Sequence, residues 1–263
     1  MNARLLHVSD LHAGTAEEPE VQRGLARLVE RLVPQLVVAS GDLAHRGRRR
    51  ELERAAELLR SLGPPVLAVP GNHDLPYTPA RFIRPWLEFE RIWETTEPTA
   101  SFPGLHVVGL NSARPFRQQG GALSRAQLDR AAERLGAAEA GALRVAVLHH
   151  HLIGAPWRAA HKRPVSARNR VLRTLVDAGA GLILAGHIHQ AAVSERHEFE
   201  VVGDEAPAAV IAVAPGLGQP RPRRLGEARG LHFHEADGDA IVVRTFRWAQ
   251  GDWTLGAERR FVR

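Results

Sequence analysis

The stretch Pro70-Gly71-Asn72-His73-Asp74 directly follows the apolar run Val66–Val69. An apolar run that ends in Pro-Gly predicts a buried strand that breaks into a tight loop. This loop presents an amide, an imidazole and a carboxylate at three consecutive positions. Four further segments carry the same kinds of side chain, and most of them also follow an apolar run: Ser9-Asp10-Leu11-His12, Ser40-Gly41-Asp42, His149-His150-His151 and Gly186-His187-Ile188-His189. The sequence therefore predicts that Asp, Asn and His side chains collect at the strand ends of an α/β sheet.

The first third of the chain alternates strands with helices. Strands are predicted over Arg4–Val8, Leu36–Ala39 and Val66–Val69. Helices are predicted between them, because apolar residues follow helical spacing from Val21 to Leu32, after a helix start near Pro19, and again over about Arg49–Leu62. This order predicts parallel strands that are joined by right-handed crossovers.

The middle of the chain continues the alternation. We predict a helix over Pro79–Trp93 that Thr78 caps, and another that the capping box Ser124-Arg125-Ala126-Gln127 opens. The remaining elements predicted here are the strands Leu105–Leu110, Arg144–Leu148 and Gly181–Ala185 and the helix Arg168–Asp177. The segment Leu152–Ser166, which contains Trp157, shows no clear period and is interpreted as a loop over the site.

The chain changes character after the last histidine motif. Strands follow one another without helices, at Ala191–Val202, Ala208–Ala214, Leu231–Glu235 and Ile241–Trp248. Strands in direct succession favour an antiparallel sheet. The sequence contains no internal repeat, linker or low-complexity segment, so we predict a single layered α/β domain over residues 1–263.

Composition excludes several classes of protein. The 263 residues are 44% hydrophobic, which is enough for a sizeable core, and the net charge of +6 permits an anionic substrate without demonstrating a nucleic-acid groove. Cysteine is absent, so disulfides, thiolate nucleophiles and Cys-ligated metals are excluded. Because the sequence has neither an apolar run of transmembrane length nor a signal peptide, we expect a cytoplasmic protein without membrane contact.

The motifs supply seven candidate metal ligands, namely Asp10, His12, Asp42, Asn72, His149, His187 and His189. Seven donors are too many for one ion that must also hold substrate, whereas two ions sharing a carboxylate account for the number. Imidazole and carboxylate ligands together favour Mn, Fe, Co or Zn over Mg or Ca. Two such ions about 3.5–4 Å apart can clamp a phosphoryl displacement and generate hydroxide at about pH 7. The sequence therefore predicts a binuclear centre for phosphoester hydrolysis by a bridging hydroxide.

The five motifs, in this order between residues 10 and 189, resemble the signature blocks of the calcineurin-like metallophosphoesterases. The resemblance implies a four-layer αββα sandwich of two mixed sheets flanked by helices, with the metal site at the carboxyl ends of the strands. It further implies that one metal is held by Asp10, His12 and His189, the other by Asn72, His149 and His187, and that both share Asp42.

The same resemblance assigns His73 as a proton donor to the leaving oxygen or as a phosphate contact. Asp74 is then expected to orient His73 through a ring N–H. Where many relatives have His-His-Pro-Pro, this chain has His149-His150-His151-Leu152. We assign His149 as the ligand because it comes first after the strand, and we expect His150 and His151 to lie outside the ligand set.

A phosphodiesterase acting on a small phosphodiester is the leading hypothesis. The segments His7–His12 and Leu110–Ser112 resemble those of class III cyclic-nucleotide phosphodiesterases, so a 3′,5′-cyclic nucleotide is the first candidate substrate. The same metal core leaves open a nuclease, a phosphomonoesterase and a pyrophosphatase for lipid-linked nucleotides, and nucleic acid is the less favoured partner. A non-catalytic metal-binding scaffold is the alternative from another class, and the oligomeric state is open.

Other polar segments are interpreted as structural or solvent-exposed. His232 and His234 form a further His-x-His pair, but no acidic motif accompanies them. The basic segments Arg46–Arg50 and Arg221–Arg224 are interpreted as exposed loops or a helix start.

Overall fold

The structure is a computed structural model that describes residues 2–15, 19–153, 162–200, 207–218 and 229–263. Its strands, in chain order, are β1 (Ala3–Val8), β2 (Leu36–Ala39), β3 (Val66–Ala68), β4 (Thr99–Phe102), β5 (Leu105–Gly109), β6 (Leu143–Val147), β7 (Leu182–Ala185), β8 (Ala192–Glu195), β9 (Val210–Val213), β10 (Gly230–Ala236), β11 (Ala240–Ala249) and β12 (Asp252–Val262). Its α-helices are α1 (Pro19–Leu32), α2 (Arg49–Arg60), α3 (Ala80–Ile83), α4 (Leu87–Trp93), α5 (Arg125–Gly136) and α6 (Arg168–Asp177). A short 3-10 helix covers Arg196–Glu198.

The described strands form two six-stranded sheets. The first has the order β12-β11-β10-β1-β2-β3, and the second has the order β4-β5-β6-β7-β9-β8. Strands β1, β2 and β3 pair in parallel, and so do β5, β6, β7 and β9. Antiparallel strands complete both sheets: β10, β11 and β12 continue the first from β1, while β4 and β8 form the edges of the second. Both sheets are therefore mixed.

Three apolar clusters separate four layers. The middle cluster lies between the sheets and joins Leu5 and Val38 of the first sheet with Val145 and Leu184 of the second. A second cluster packs α1 and α2 against the outer face of the first sheet, and a third packs α5 and α6 against the second. Because side chains alternate along a strand, Leu5 faces the other sheet while Leu6 faces the helices. The predicted αββα sandwich is confirmed.

The continuous helix predicted over Pro79–Trp93 is wrong. Two short helices, α3 and α4, occupy this segment, and Pro85 lies between them. A proline lacks an amide hydrogen and disfavours helical backbone at the preceding residue. Arg84 accordingly has φ of −140° and ψ of 66°, which ends α3.

Three further differences concern strands. The strand predicted over Ala191–Val202 is shorter, because β8 ends at Glu195 and the 3-10 helix follows. Sequence analysis did not anticipate the short β4, nor β12, in which only Trp253 and Phe261 are buried. An edge strand with so few buried side chains gives almost no apolar alternation to detect.

Some predicted segments lie outside the described residues. These are Arg221–Arg224 and the central part of the loop predicted over Leu152–Ser166, including Trp157. None of the helices in the described ranges combines the length and the apolar character needed to span a bilayer.

Candidate metal centre

The motif residues lie in the loops that follow five strands, β1, β2 and β3 of the first sheet and β6 and β7 of the second. Hydrogen bonds join these loops across the sheets. The amide of His187 donates to Asp10 Oδ2 at 3.0 Å, and the ring Nδ1 of His149 donates to the carbonyl of Ser40 at 2.8 Å. Loops that are more than 100 residues apart in the chain therefore meet at one place.

A first group of potential ligands consists of Asp10, His12, Asp42 and His189, whose donor atoms lie within 4.8 Å of one another. The Nε2 atom of His189 is 3.0 Å from Asp10 Oδ1 and 3.2 Å from His12 Nε2. The Oδ2 atom of Asp42 is 3.9 Å from His12 Nε2. Nitrogen and oxygen donors thus converge from three separate loops.

A second group consists of Asp42, His149 and His187. Asp42 Oδ2 lies 3.3 Å from His149 Nε2, so this one oxygen atom faces both groups. His150 points elsewhere, since its Nδ1 lies 2.9 Å from Ser112 Oγ. The first histidine after β6 is therefore the one beside Asp42.

Several buried side-chain atoms that could ligate a metal have no hydrogen-bond partner among the described residues: Asp42 Oδ2, Asn72 Oδ1, His149 Nε2 and His187 Nδ1. Of these atoms, Asp42 Oδ2 and His149 Nε2 lie 3.3 Å apart, but their geometry is not that of a hydrogen bond. Leaving a buried polar atom unpaired costs about 1–3 kcal/mol. Metal cations would satisfy all of these atoms, and the mixture of imidazole nitrogen with carboxylate and amide oxygen suits transition metals. The residues present therefore fit a metal centre.

The backbone at the candidate ligands is unusual. Five of them have φ between 48° and 74°, a left-handed conformation that residues other than glycine seldom adopt, namely Asp10, His12, Asp42, His187 and His189. Such residues cost about 1–3 kcal/mol each and cluster at functional sites. In the first motif, these sharp turns let the side chains of Asp10 and His12 point into the same group of potential ligands.

Two motif glycines are required by close packing. A Cβ atom at Gly71 would lie 2.2 Å from Asp42 Oδ1, and one at Gly186 would lie 1.8 Å from Ser9 Oγ. These distances are shorter than any tolerated contact. The glycines therefore allow the loops of neighbouring strands to approach each other closely.

Charges in the centre are set by opposing effects. Burial works against ionisation of Asp10, but the imidazoles of His189 and His149 hold the pKa of Asp10 well below its usual range. Burial likewise opposes ionisation of Asp42, and His149 and His73 lower the pKa of Asp42. Both carboxylates are therefore negative and attract cations.

The imidazoles differ in protonation. Burial lowers the pKa of His12 and of His187 well below the usual value, so both rings are neutral and keep a lone pair for a metal. Burial also opposes protonation of His149, but the adjacent Asp42 raises the pKa of His149 to about 9. A proton and a metal cation therefore compete for this ring.

The sequence profile of the calcineurin-like phosphoesterases matches residues 3–191. The chain belongs to this family. The prediction that it is a phosphoester-hydrolysing enzyme is thereby confirmed, and the αββα architecture and the His and Asp clusters agree with membership.

Individual relatives add detail to the family. A 3′,5′-cyclic adenosine monophosphate phosphodiesterase of Haemophilus influenzae is 27% identical over 222 residues, which cover 77% of this chain and 76% of that protein. A probable cyclic nucleotide phosphodiesterase of Synechococcus sp. is 29% identical over 221 residues, covering 74% of this chain and 77% of the relative. The structure of purple acid phosphatase PPD1 from yellow lupin superposes with a TM-score of 0.74 at 11% identity, covering 99% of this chain and 53% of that one. The chain thus spans about half of the lupin protein, and that likeness concerns the fold alone.

In this phosphoesterase the expected contact between Asp74 and the ring of His73 is absent, so that prediction is wrong. The two carboxylate oxygens of Asp74 accept the amides of Ala44 and Gly71, each at 2.7 Å. The Nδ1 atom of His73 instead lies 2.8 Å from the carbonyl oxygen of His45. The tight turn directs the Asp74 carboxylate toward these two amides, and burial raises the pKa of Asp74 to about 7. Asp74 therefore joins two loops of the phosphoesterase site.

Sequence reasoning missed the groups that orient the imidazoles. The ring acceptors are backbone carbonyls: that of Ser40 for His149, and that of Gln119 for His187 at 3.2 Å. Because every residue has a carbonyl, side-chain identity gives no signal for them. Tyr77, whose hydroxyl lies 3.2 Å from His73 Nδ1, was also missed, since an aromatic residue four positions after a histidine forms no motif.

Proposed function

We propose that this phosphoesterase hydrolyses phosphodiesters at a two-metal centre, with a 3′,5′-cyclic nucleotide as the first candidate substrate. The observation that carries the proposal is the position of Asp42 Oδ2, which faces His12 Nε2 at 3.9 Å and His149 Nε2 at 3.3 Å. An unpaired carboxylate oxygen between two groups of donors supports a bridging role between two cations. The choice of a cyclic nucleotide is supported by the names of the two similar phosphodiesterases.

The proposed ligand sets follow the two groups of side chains. One ion would be held by Asp10, His12 and His189, the other by Asn72, His149 and His187, with Asp42 shared. When bound, ions such as Mn, Fe, Co or Zn supply Lewis acidity and a water that is nucleophilic at neutral pH. The Nδ1 bond of His149 to a carbonyl leaves its Nε2 free to ligate, and the Nε2 contact of His187 leaves Nδ1 free.

His73 is proposed to deliver a proton to the leaving oxygen. Its backbone amide donates to Asp42 Oδ1 at 2.8 Å, and its ring lies edge-on to that of His12 with centroids 4.8 Å apart. Because Nδ1 is directed at the carbonyl of His45, the protonated ring can use Nε2 as its donor. Asp42 thus positions the residue that acts on the leaving group.

Hydrolysis of bis(p-nitrophenyl) phosphate with added Mn²⁺ tests the proposal. Asp42→Asn and Asn72→Ala should each lose more than about 100-fold in activity, since even groups behind metal ligands typically contribute 10–100-fold. Asp129→Asn, the same substitution on an exposed position of α5, should keep wild-type activity. Full turnover in a chelated, metal-free sample would overturn the proposal. Parallel assays with cyclic AMP and single-stranded DNA distinguish a cyclic-nucleotide phosphodiesterase from a nuclease.

A further inference from the structure

Three aromatic side chains line an open cleft of about 960 Å³. Tyr77, Phe82 and Phe116 are 53%, 55% and 84% exposed. Aromatic side chains contribute large apolar areas that folded proteins normally bury, and exposed apolar patches of this kind mark ligand or partner sites. The exposure of three such rings in one cleft therefore calls for an occupant.

One side of the cleft lies next to His73 of the candidate site, although the described lining includes none of the candidate metal ligands. The hydroxyl of Tyr77 lies 3.2 Å from His73 Nδ1, and the centroids of the two rings are 6.0 Å apart. Gln118 also lines the cleft, and the carbonyl of the next residue, Gln119, lies 3.2 Å from the ring Nε2 of His187. The cleft is thus connected to the site through both the His73 loop and the His187 ring.

The aromatic walls are held together by defined contacts. The rings of Phe82 and Phe116 lie with centroids 5.0 Å apart at an interplanar angle of 32°. Arg81, which belongs to α3 and lines the cleft, donates through Nε to the carbonyl of Pro115 at 2.6 Å. The described lining contains Arg81 but no acidic side chain, which suits an anionic ligand.

We propose that this cleft is a base-binding subsite, in which Tyr77, Phe82 and Phe116 stack on the planar base of a nucleotide whose phosphate lies at the metal centre. The inference rests on the proposed function and names the part of the substrate that gives it affinity. Stacking accepts any base because every base has a π-face. Thr78, Arg81 and Gln118 of the lining are polar, but because stacking carries most of the affinity, adenine and guanine nucleotides are expected to bind similarly.

The other cavity near the centre suits a base less well. It measures about 480 Å³, reaches His12 and lies between α1 and α2. Apart from His12, its described lining has no aromatic side chain. It therefore provides no comparable stacking surface.

Calorimetric titration of the Mn²⁺-loaded protein with AMP and with ribose 5-phosphate tests the subsite, because the two ligands differ by the base. The wild type should bind AMP about 5- to 150-fold more tightly, the range expected for base stacking on aromatic side chains. In the double variant Phe82→Ala/Phe116→Ala the preference should largely disappear, while ribose 5-phosphate binds as before. Both side chains are exposed, so folding should be unaffected.

Phe199→Ala is the matched control, since Phe199 is 43% exposed but does not line the cleft. It should keep the full preference for AMP. An equal affinity of the wild type for both ligands, or an unchanged preference in the double variant, would overturn the subsite. Turnover of bis(p-nitrophenyl) phosphate by the same samples tests the proposed function separately, so a failure of either idea can be recognised.

Discussion

Lowering the pH from 7 to 5 should destabilise this protein measurably through a single buried histidine, His232. His232 on β10 pairs in register with His7 on β1, and both lie with His234 inside the sandwich, fully or almost fully buried. The ring of His7 is 6.1 Å from that of His232 and 5.7 Å from that of His234. The Nε2 atom of His232 lies 2.9 Å from the carbonyl of Val213, and its Nδ1 lies 3.0 Å from Thr245 Oγ1. The interpretation of the His-x-His pair as structural agrees with these contacts.

The magnitude follows from the pKa. Burial lowers the pKa of His232 to about 4, compared with about 6.5 in an unfolded chain. Because the folded-state pKa is the lower one, protonation favours the unfolded chain, and the stabilising contribution is lost as the pH falls from about 6.5 toward about 4. At about 1.4 kcal/mol per pKa unit, His232 alone accounts for a loss of about 2 kcal/mol between pH 7 and pH 5. Burial lowers the pKa of His7 and of His234 as well, so both act in the same direction.

Urea unfolding at pH 7 and pH 5 checks this value. His232→Gln retains an amide donor for the carbonyl of Val213 but does not titrate. The wild type should lose about 2 kcal/mol more than the variant between the two pH values. Metal release acts on both proteins and cancels in the difference. An equal loss in the two proteins would refute the view of His232 as a neutral residue of the core.

Further outcomes can be checked with single variants or additives. In calorimetry, Gly186→Ala should lower both the thermal midpoint and the Mn²⁺ affinity; Gly136→Ala, at the end of α5 with nothing within 4 Å of its Cβ, should leave the Mn²⁺ affinity unchanged and should not lower the thermal midpoint. EDTA should lower the free energy of unfolding by about 2.7 kcal/mol relative to a sample with metal at 100 times Kd, and added Mn²⁺ should restore it; an unchanged urea midpoint would contradict a metal bound in the folded state. Trp253→Ala should cost about 3–5 kcal/mol in urea unfolding, since its side chain is 2% exposed in the cluster under α1; a negligible cost would make β12 dispensable. His73→Ala should reduce kcat about 10²–10⁴-fold for a diester with an alkoxide leaving group, and much less for p-nitrophenyl esters; an equal loss for both would contradict its role as proton donor.

The parallel parts of both sheets were predictable because their strands are short apolar runs between helices of clear period. The predicted bounds Leu36–Ala39 and Arg168–Asp177 agree with β2 and α6. The positions of the candidate ligands could be predicted for a related reason, since most of their motifs follow such a run. β12 was not predictable, because this long edge strand buries only Trp253 and Phe261, while its apolar residues Leu255 and Val262 are exposed and break the alternation.

The connections inside the site could not be read from the sequence. Whether the carboxylate of Asp74 bonds to the His73 ring or to the amide of Gly71 depends on the exact path of a tight turn, and adjacency along the chain favours neither. The left-handed backbone of residues such as Asp10 and His187 is equally invisible, because neither residue type demands it. These features depend on contacts between loops that are far apart in sequence.

The same contacts explain why this centre can be both strained and well ordered. The left-handed ligand residues are held from outside: Asp10 receives the amide of His187, and Asp42 receives that of His73. Asp10 therefore uses Oδ2, and Asp42 uses Oδ1, to hold a neighbouring loop. The other oxygen of each carboxylate faces the imidazoles of the candidate metal centre. A cation bound there would add attraction between groups that the backbone already holds close, so that little rearrangement should accompany its binding. The strained residues are thus held by contacts within the first sheet and between the two sheets, and the stability of the sandwich keeps the ligands together.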